Sequence, residues 1–306
     1  MKKNLLLGVS CLLAAAAGGA AGLLAPEAGS AYLYFRSRAG ICTLRESLRS
    51  MRATLAQHHN FARMQSESRI LERDPAGLDL YDTPRGRYWS PRGSENALFN
   101  QLAEQERAVY RAPNWQEIRP GDVVLDCGAN IGLFTREALN RGASLVVAVE
   151  PSPENLACLR RNFVQEIRQA RVIVYPKGVW DKDDILTLKT NPRNTSANSF
   201  IRTTTSEEGH VERVPLTTID ALVAELKLSR LDVIKMDIEG AEQKALLGGM
   251  GTLRRFKPRM AICVYHMPDD PVQVPRLVRQ AVPDYRTGCG CLRHQDAVVP
   301  QVFHFF

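Results

Sequence analysis

The stretch from Val123 to Glu150, VVLDCGANIGLFTREALNRGASLVVAVE, constrains the fold of this chain more than any other. Val123, Val124 and Leu125 form a short apolar run that ends in Asp126. Small residues follow (Gly128, Ala129, Asn130, Gly132), then an amphipathic segment through Asn140. The pattern is strand, tight glycine turn, helix. A second apolar run, Leu145 to Val149, ends in Glu150, so a βαβ unit closes with a carboxylate at the end of its second strand.

Such a unit suits a nucleoside ligand. Glycines let the backbone approach without an intervening Cβ, the helix N-terminus offers free N–H groups, and Glu150 can accept hydrogen bonds from both ribose hydroxyls. A dinucleotide site uses G-x-G-x-x-G, with the pyrophosphate on the helix N-terminus. Here the spacing is D-x-G-x-N-x-G, with an acid two residues before the first glycine. An acid there repels a pyrophosphate but suits the ammonium of a methionine-type ligand. These residues favour S-adenosylmethionine (SAM) over NAD; NAD, or a βαβ unit without a ligand, are the alternatives.

The chain continues as a doubly wound sheet would. Pro151-Ser152-Pro153-Glu154 starts a helix, with Ser152 as N-cap and Pro153 at its first position. Val172 to Tyr175 is a third strand, and the turn Pro176 to Asp181 after it brings Gly178 and Trp180 toward an adenine ring or, for Trp180, over the sheet edge. An insertion rich in Asn, Ser and Thr follows, with strands expected at Ile185–Lys189, Phe200–Thr204 and Val211–Leu216. Leu231 to Met236 is a fourth core strand. It ends in Asp237-Ile238-Glu239-Gly240, beyond the carboxyl end of the sheet, where ligands of open α/β folds bind. Extended backbone would put Asp237 and Glu239 on one face. Two carboxylates there have three uses: binding the sulfonium side of SAM, acting as general base, or holding a divalent cation. Capping of the next helix competes for Glu239. Arg259 to Tyr265 is a fifth strand with His266 at its end, a second candidate base. A helix over Pro268–Val282 and a terminal antiparallel hairpin complete the pattern.

Ahead of the core, Lys2 and Lys3 precede an uncharged run, Leu5 to Ala25. At ~1.5 Å per residue it is long enough to cross a bilayer of about 30 Å. A cleaved signal peptide starts the same way. SAM is a cytosolic compound, and Arg36, Arg38 and Arg45 can hold the body on that side. The expectation is a membrane-anchored protein facing the cytoplasm; a cytoplasmic protein, or an exported one if residues 1–25 are a cleaved signal, are the alternatives. Residues 31–80 read as a helical spacer on the apolar positions Leu44, Leu48, Met51 and Leu55, and Tyr81 to Pro91 as a turn-rich hairpin. Glu95 to Tyr110 has helical spacing and is expected to cap the open end of the sheet. The net charge of +7 comes from arginines spread along the chain with few clustered aromatics, which argues against nucleic acid and fits an anionic membrane surface. Seven scattered cysteines read as buried free thiols rather than a disulfide framework.

VVLDCGANIGLFT, VVAVEPSPENLACLRRNF, VPLTTIDAL and above all DVIKMDIEGAEQKALLGG resemble the FkbM family of SAM-dependent methyltransferases. The likeness covers roughly Asp122 to His266. It implies a class I methyltransferase fold: an α/β, Rossmann-like, doubly wound sheet with an antiparallel last strand, occupying 81–306 with its core at 121–306. An N-terminal hydrophobic helix (1–30) and the spacer would precede it. It further implies SAM as cofactor and methyl transfer to a hydroxyl on a sugar, lipid-linked or natural-product acceptor; a membrane-tethered SAM-binding protein without activity and an NAD-dependent oxidoreductase are the alternatives. Asp126, Gly128, Asn130 and Gly132 match the family's SAM loop, with Ala129 inside it. Glu150, followed by Pro151, matches the ribose acid, and Asp237 and Glu239 the second acidic motif. Gly178 and Trp180 complete the candidate SAM contacts. Asp237 or His266 is the expected base, and no metal ligand set is assigned.

Overall fold

The computed structural model describes residues 43–110, 118–191, 193–201, 211–294 and 297–306. The expected anchor at 1–30, Cys11 and Cys42, and all but the start of the strand expected at Phe200–Thr204 lie outside these residues. No helix among the described residues is long and apolar enough to cross a membrane.

A capping box opens the first helix: Thr43 N–H donates to Glu46 Oε2 (2.7 Å) and Glu46 N–H to Thr43 Oγ1 (3.3 Å). Helix α1 (Leu44–Glu67) leads into an antiparallel meander of β1 (Arg69–Arg73), β2 (Leu78–Thr83) and β3 (Gly86–Pro91), then α2 (Glu95–Glu106). The expected hairpin is therefore β2–β3 with a further strand on its edge. The spacer reading is corrected in two ways. Two strands of the meander begin inside it, and α1 is docked rather than solvated, because its apolar face has partners. Met64 is fully buried, and Gln57 donates to the Asn100 carbonyl (3.1 Å) and accepts from Arg107 (3.1 Å) at α2 and its C-cap.

The core follows as β4 (Val123–Cys127), α3 (Leu133–Asn140), β5 (Leu145–Val149), α4 (Pro153–Asn162), the short α5 (Val164–Arg168) and β6 (Val172–Tyr175). A small side sheet comprises β7 (Gly178–Val179), β8 (Asp184–Lys189) and β9 (Val211–Thr217). The chain then returns through α6 (Ile219–Glu225), β10 (Val233–Met236), α7 (Glu242–Leu247), α8 (Met250–Phe256), β11 (Arg259–Cys263) and α9 (Asp270–Ala281) to β12 (Thr287–His294) and β13 (Ala297–Phe305). The main sheet runs β12-β13-β11-β10-β4-β5-β6, with only the contacts of β13 antiparallel. This is the expected doubly wound sheet with an antiparallel last strand.

Both faces are covered, so the central strands are apolar at nearly every position. Leu125, Cys127, Val147, Ile234 and Met236 pack on one side, and Val124, Val146, Ala148 and Val233 on the other. From β4 the chain moves to β5 and β6 on one flank, then returns to β10 and β11 on the opposite flank. The strand order reverses at β4/β10, which opens a crevice above their carboxyl ends. Cys127, Cys158 and Cys263 are buried free thiols, as expected, whereas Cys291 is disulfide-bonded.

Gly132 shows how tightly the glycine turn is packed. It caps α3 with φ +97°, and a Cβ there would overlap the Phe163 ring and crowd Leu159. Gly132→Ala adds left-handed strain to overpacking and is expected to destabilise the protein by about 2–4 kcal/mol. Urea unfolding checks this; an unchanged midpoint would contradict the packing described.

Candidate active site

Asp126 on β4 and Lys235 on β10 are directly opposite in register. Lys235 Nζ lies 3.1 Å from Asp126 Oδ1 and donates to the carbonyls of Gly128 (2.7 Å) and Cys127 (3.4 Å). Asp126 Oδ2 accepts from the Thr135 hydroxyl on α3 (2.7 Å). Burial alone would lower the Lys235 pKa; Asp126, then Asp237, raise it to about 12. The ammonium thus hydrogen-bonds to two turn carbonyls, while Asp126 Oδ1, which accepts no hydrogen bond among the described residues, balances its charge across the pair. Asp126 is completely buried and does not line the crevice. Its contacts run to Thr135 and, through Lys235, to the glycine turn. Lys235 was visible in the sequence as one charge inside an apolar strand, a residue type rarely buried without a partner.

The crevice is a cleft of about 1050 Å³, counting its open mouth. Gly128, Ala129 and Asn130 form one wall, with Glu150, Pro151 and Gly178 beside them and Asp237 and Glu239 opposite. Gly128 has φ +77°, and a Cβ there would overlap the Asp237 carbonyl oxygen, so only glycine lets the turn reach the acidic segment. Glu150 accepts from Asn130 N–H (2.8 Å), Ser152 N–H (3.0 Å) and Asn155 Nδ2 (3.2 Å). Burial nonetheless pushes its pKa up. Asn155 Oδ1, in the same wall, is buried with no hydrogen-bond partner among the described residues. A glycine-cradled wall with a carboxylate and an orphaned acceptor fits a nucleoside bearing hydroxyl and amine donors.

Three other expected site residues, like Asp126, do not line the cleft. Gly132 is behind the turn, against Phe163. Trp180 is packed away from it, edge-to-face with Phe200 (ring centroids 6.2 Å apart) and beneath Lys244 Nζ (5.7 Å). It clusters with Leu216 and Ala241 because β7 and the start of α7 bury it. The His266 side chain is completely buried, behind Asp237 and Glu239.

The acidic wall is not extended. Glu239 has φ +53° and Gly240 φ +102°, so the backbone reverses after Ile238. The turn still brings both acids to one nitrogen: His266 Nε2 is 3.4 Å from Asp237 Oδ1 and 3.6 Å from Glu239 Oε1. Neither acid caps α7, which has no side-chain cap; Glu242, its first residue, instead braces the turn before it. Its carboxylate accepts from Ile238 N–H and Gly240 N–H (3.0 Å each) and holds His266 Nδ1 at 2.8 Å. Glu242 is fully buried. Burial would raise the Asp237 carboxyl, but His266, Lys235 and the hydroxyl of Tyr110, donating to Oδ2 (2.8 Å), hold it below the usual range. Burial likewise opposes a charge on His266, yet Glu242, Glu239 and Asp237 raise its pKa well above the usual value.

Helix α2 supplies a further lining residue. Glu104 faces the cleft, with its pKa pushed up to about 7 by burial and then by the charge of Asp237. Tyr110 and Tyr265 line the same end. Helical spacing in the sequence marked α2 as a cap, but which of its polar residues turn inward depends on how it docks.

A family model described as the methyltransferase FkbM domain matches residues 126–286. The 31-O-demethyl-FK506 methyltransferase FkbM of Streptomyces tacrolimicus is 28% identical over 158 residues, covering 43% of this chain and 61% of that protein. The chain thus spans less than two thirds of this relative's length. Among solved structures, the methyltransferase FkbM from Methylobacillus flagellatus KT aligns with TM-score 0.49 and 19% identity, over 84% of this chain and 60% of that one. A SAM-dependent methyltransferase from Agrobacterium tumefaciens aligns with TM-score 0.38 and 13% identity, over 78% and 69%.

Breaking a buried ion pair from one side leaves an uncompensated charge. Asp126→Asn is therefore expected to cost about 3–5 kcal/mol, and Lys235→Met a similar amount. The double variant should lose less than the sum of the two, by roughly 0.5–3 kcal/mol. Urea unfolding of all four proteins checks this, and strict additivity would mean that the two residues do not form a pair.

Proposed function

Because this chain belongs to the FkbM family of SAM-dependent methyltransferases, we propose that it transfers a methyl group from SAM to a hydroxyl oxygen of a small-molecule or glycan acceptor. The observation that carries this reading is the contact between the two walls of the cleft. The glycine turn with Glu150 is suited to a nucleoside, and it touches the acidic wall at Gly128 and Asp237. Glu150 and Asn155 would hold the ribose end, and the backbone of Gly128 to Asn130 the amino-acid end. Bound SAM supplies a methyl group already activated by a sulfonium.

The rest is the work of this chain's own residues. As the new O–CH3 bond forms and the CH3–S bond breaks, the sulfonium becomes a neutral thioether and the hydroxyl proton passes to the Asp237 carboxylate and on to solvent. Carboxylates of Asp237, Glu239 and Glu104 give that end of the cleft an acidic field that favours the cationic donor. Asp237, held by the Tyr110 hydroxyl, orients the acceptor hydroxyl, and alignment of this kind supplies much of the rate of a displacement. Helix α2 covers the mouth and limits water. We further place this activity at the cytoplasmic face of a membrane, on the basic residues that flank the apolar run at 5–25.

The test is transfer of radiolabelled methyl from SAM to a panel of sugars and hydroxylated natural-product scaffolds. The expected result is an alkali-stable methyl ether, with Asp237→Asn slowing turnover by about 100-fold or more at saturating SAM. Label on nitrogen, an alkali-labile ester, no transfer to any member of the panel, or full activity in Asp237→Asn would contradict it.

A further inference from the structure

At the carboxyl ends of β10 and β11, carboxylate oxygens converge on one imidazole nitrogen. His266 is 7% exposed, and its Nε2 makes no hydrogen bond among the described residues. A polar atom cut off from water and unpaired carries a free-energy cost, so a native site that keeps one usually serves a purpose. Nε2 points between Asp237 Oδ1 and Glu239 Oε1, at 3.4 and 3.6 Å. Both distances exceed the 2.7–3.2 Å range of a good N–H···O bond. They match the edge of a coordination shell. Two donors each ~2.1 Å from a shared ion stand ~3.0 Å apart in octahedral and ~3.4 Å apart in tetrahedral geometry.

The surrounding contacts lock these atoms in place. Glu242 holds Nδ1 of the imidazole at 2.8 Å and is itself fixed by two backbone N–H groups. This is the carboxylate–histidine support that metal-ligating histidines almost always have. Tyr110 occupies Asp237 Oδ2, which leaves Oδ1 toward the imidazole. Asp237, Glu242 and His266 each offer a ligand atom within 4.8 Å of the others. With Glu239 and Glu104 beside them, carboxylates outnumber the cations Lys235 and His266 at this end of the cleft.

We propose that Asp237, Glu239 and His266 bind a divalent cation at the acceptor side of the cleft, with Glu242 orienting the imidazole. One imidazole and two carboxylates suit a first-row ion such as Mn²⁺ better than Ca²⁺, which takes more oxygen ligands. The ion's role in catalysis rests on reading the cleft as the methyl-transfer site. Asp237 then orients the acceptor hydroxyl through the ion, which lowers the pKa of the oxygen it binds. The proton goes to solvent, and the resulting alkoxide takes the methyl group.

The test uses the full chain, freed of metal by chelation, and Mn²⁺ alone. Electron paramagnetic resonance should show one Mn²⁺ bound per chain, and electron spin-echo modulation should show coupling to one histidine nitrogen. His266→Gln should abolish that coupling and weaken binding at least tenfold. Glu242→Gln, which leaves the three ligands in place, should weaken binding by about 10–100-fold. Mn²⁺ remaining free, bound Mn²⁺ without nitrogen coupling, or affinity unchanged in His266→Gln would each overturn the site. The coupling in the unaltered protein decides the matter even if a variant fails to fold. Parallel titration with S-adenosylhomocysteine separates the two readings. Nucleoside binding without Mn²⁺ binding removes only this inference; Mn²⁺ binding without nucleoside binding keeps the site and removes the proposed transfer.

Discussion

The buried ion pair between Asp126 and Lys235 is the interaction on which the rest of this structure depends. It joins β4 to β10, the two strands between which the strand order reverses. Lys235 also ties down the carbonyls of Cys127 and Gly128, and through them the glycine turn. The desolvation of the two charges is offset by their mutual attraction and by the hydrogen bonds of Lys235 to the two carbonyls and of Thr135 to Asp126 Oδ2. Loss of either residue would loosen the crevice at the point where its two walls meet.

From that point the site is built outward by close approach. Gly128 comes so near the Asp237 carbonyl that no side chain could stand between them. The reversal at Glu239 and Gly240 then returns both acids toward His266, and Glu242 satisfies the backbone that the reversal exposes. Helix α2, which precedes the family-matched region, completes the enclosure, with the meander packed behind it. Ser94 Oγ and Thr195 Oγ1, 3.1 Å apart and buried, join this cover to the polar insertion. Asn162 reaches from α4 to the backbone of Trp89 on β3. The cover is thus held by specific hydrogen bonds as well as by apolar contact.

The doubly wound core was readable from sequence because apolar runs and glycine turns obey local periodicities. Gly128, Asn130 and Glu150 could be placed at the cleft for the same reason: their geometry is set within a single βαβ unit. Asp126 could not be told apart from a ligand-binding acid, since its partner Lys235 is more than a hundred residues away and meets it only through strand register. Trp180 was ambiguous because β7 can turn an aromatic either toward the cleft or under α7. A period of two hides Glu242, because the backbone of its segment reverses at Glu239 and Gly240 instead of staying extended. Glu104 and Tyr110 depend on helix docking, which no local pattern encodes. The stretch taken for a spacer has helical spacing, but its burial follows from contacts with α2 and β12 that lie far along the chain.

The central claim, that the glycine turn and Glu150 form a SAM site, is tested most directly by calorimetric titration of S-adenosylhomocysteine into the full chain and into Glu150→Gln. Micromolar binding, about −8 kcal/mol, weakened at least tenfold in a folded Glu150→Gln, is the expected result. Absence of binding in the folded protein, or equal affinity in the variant, would contradict it.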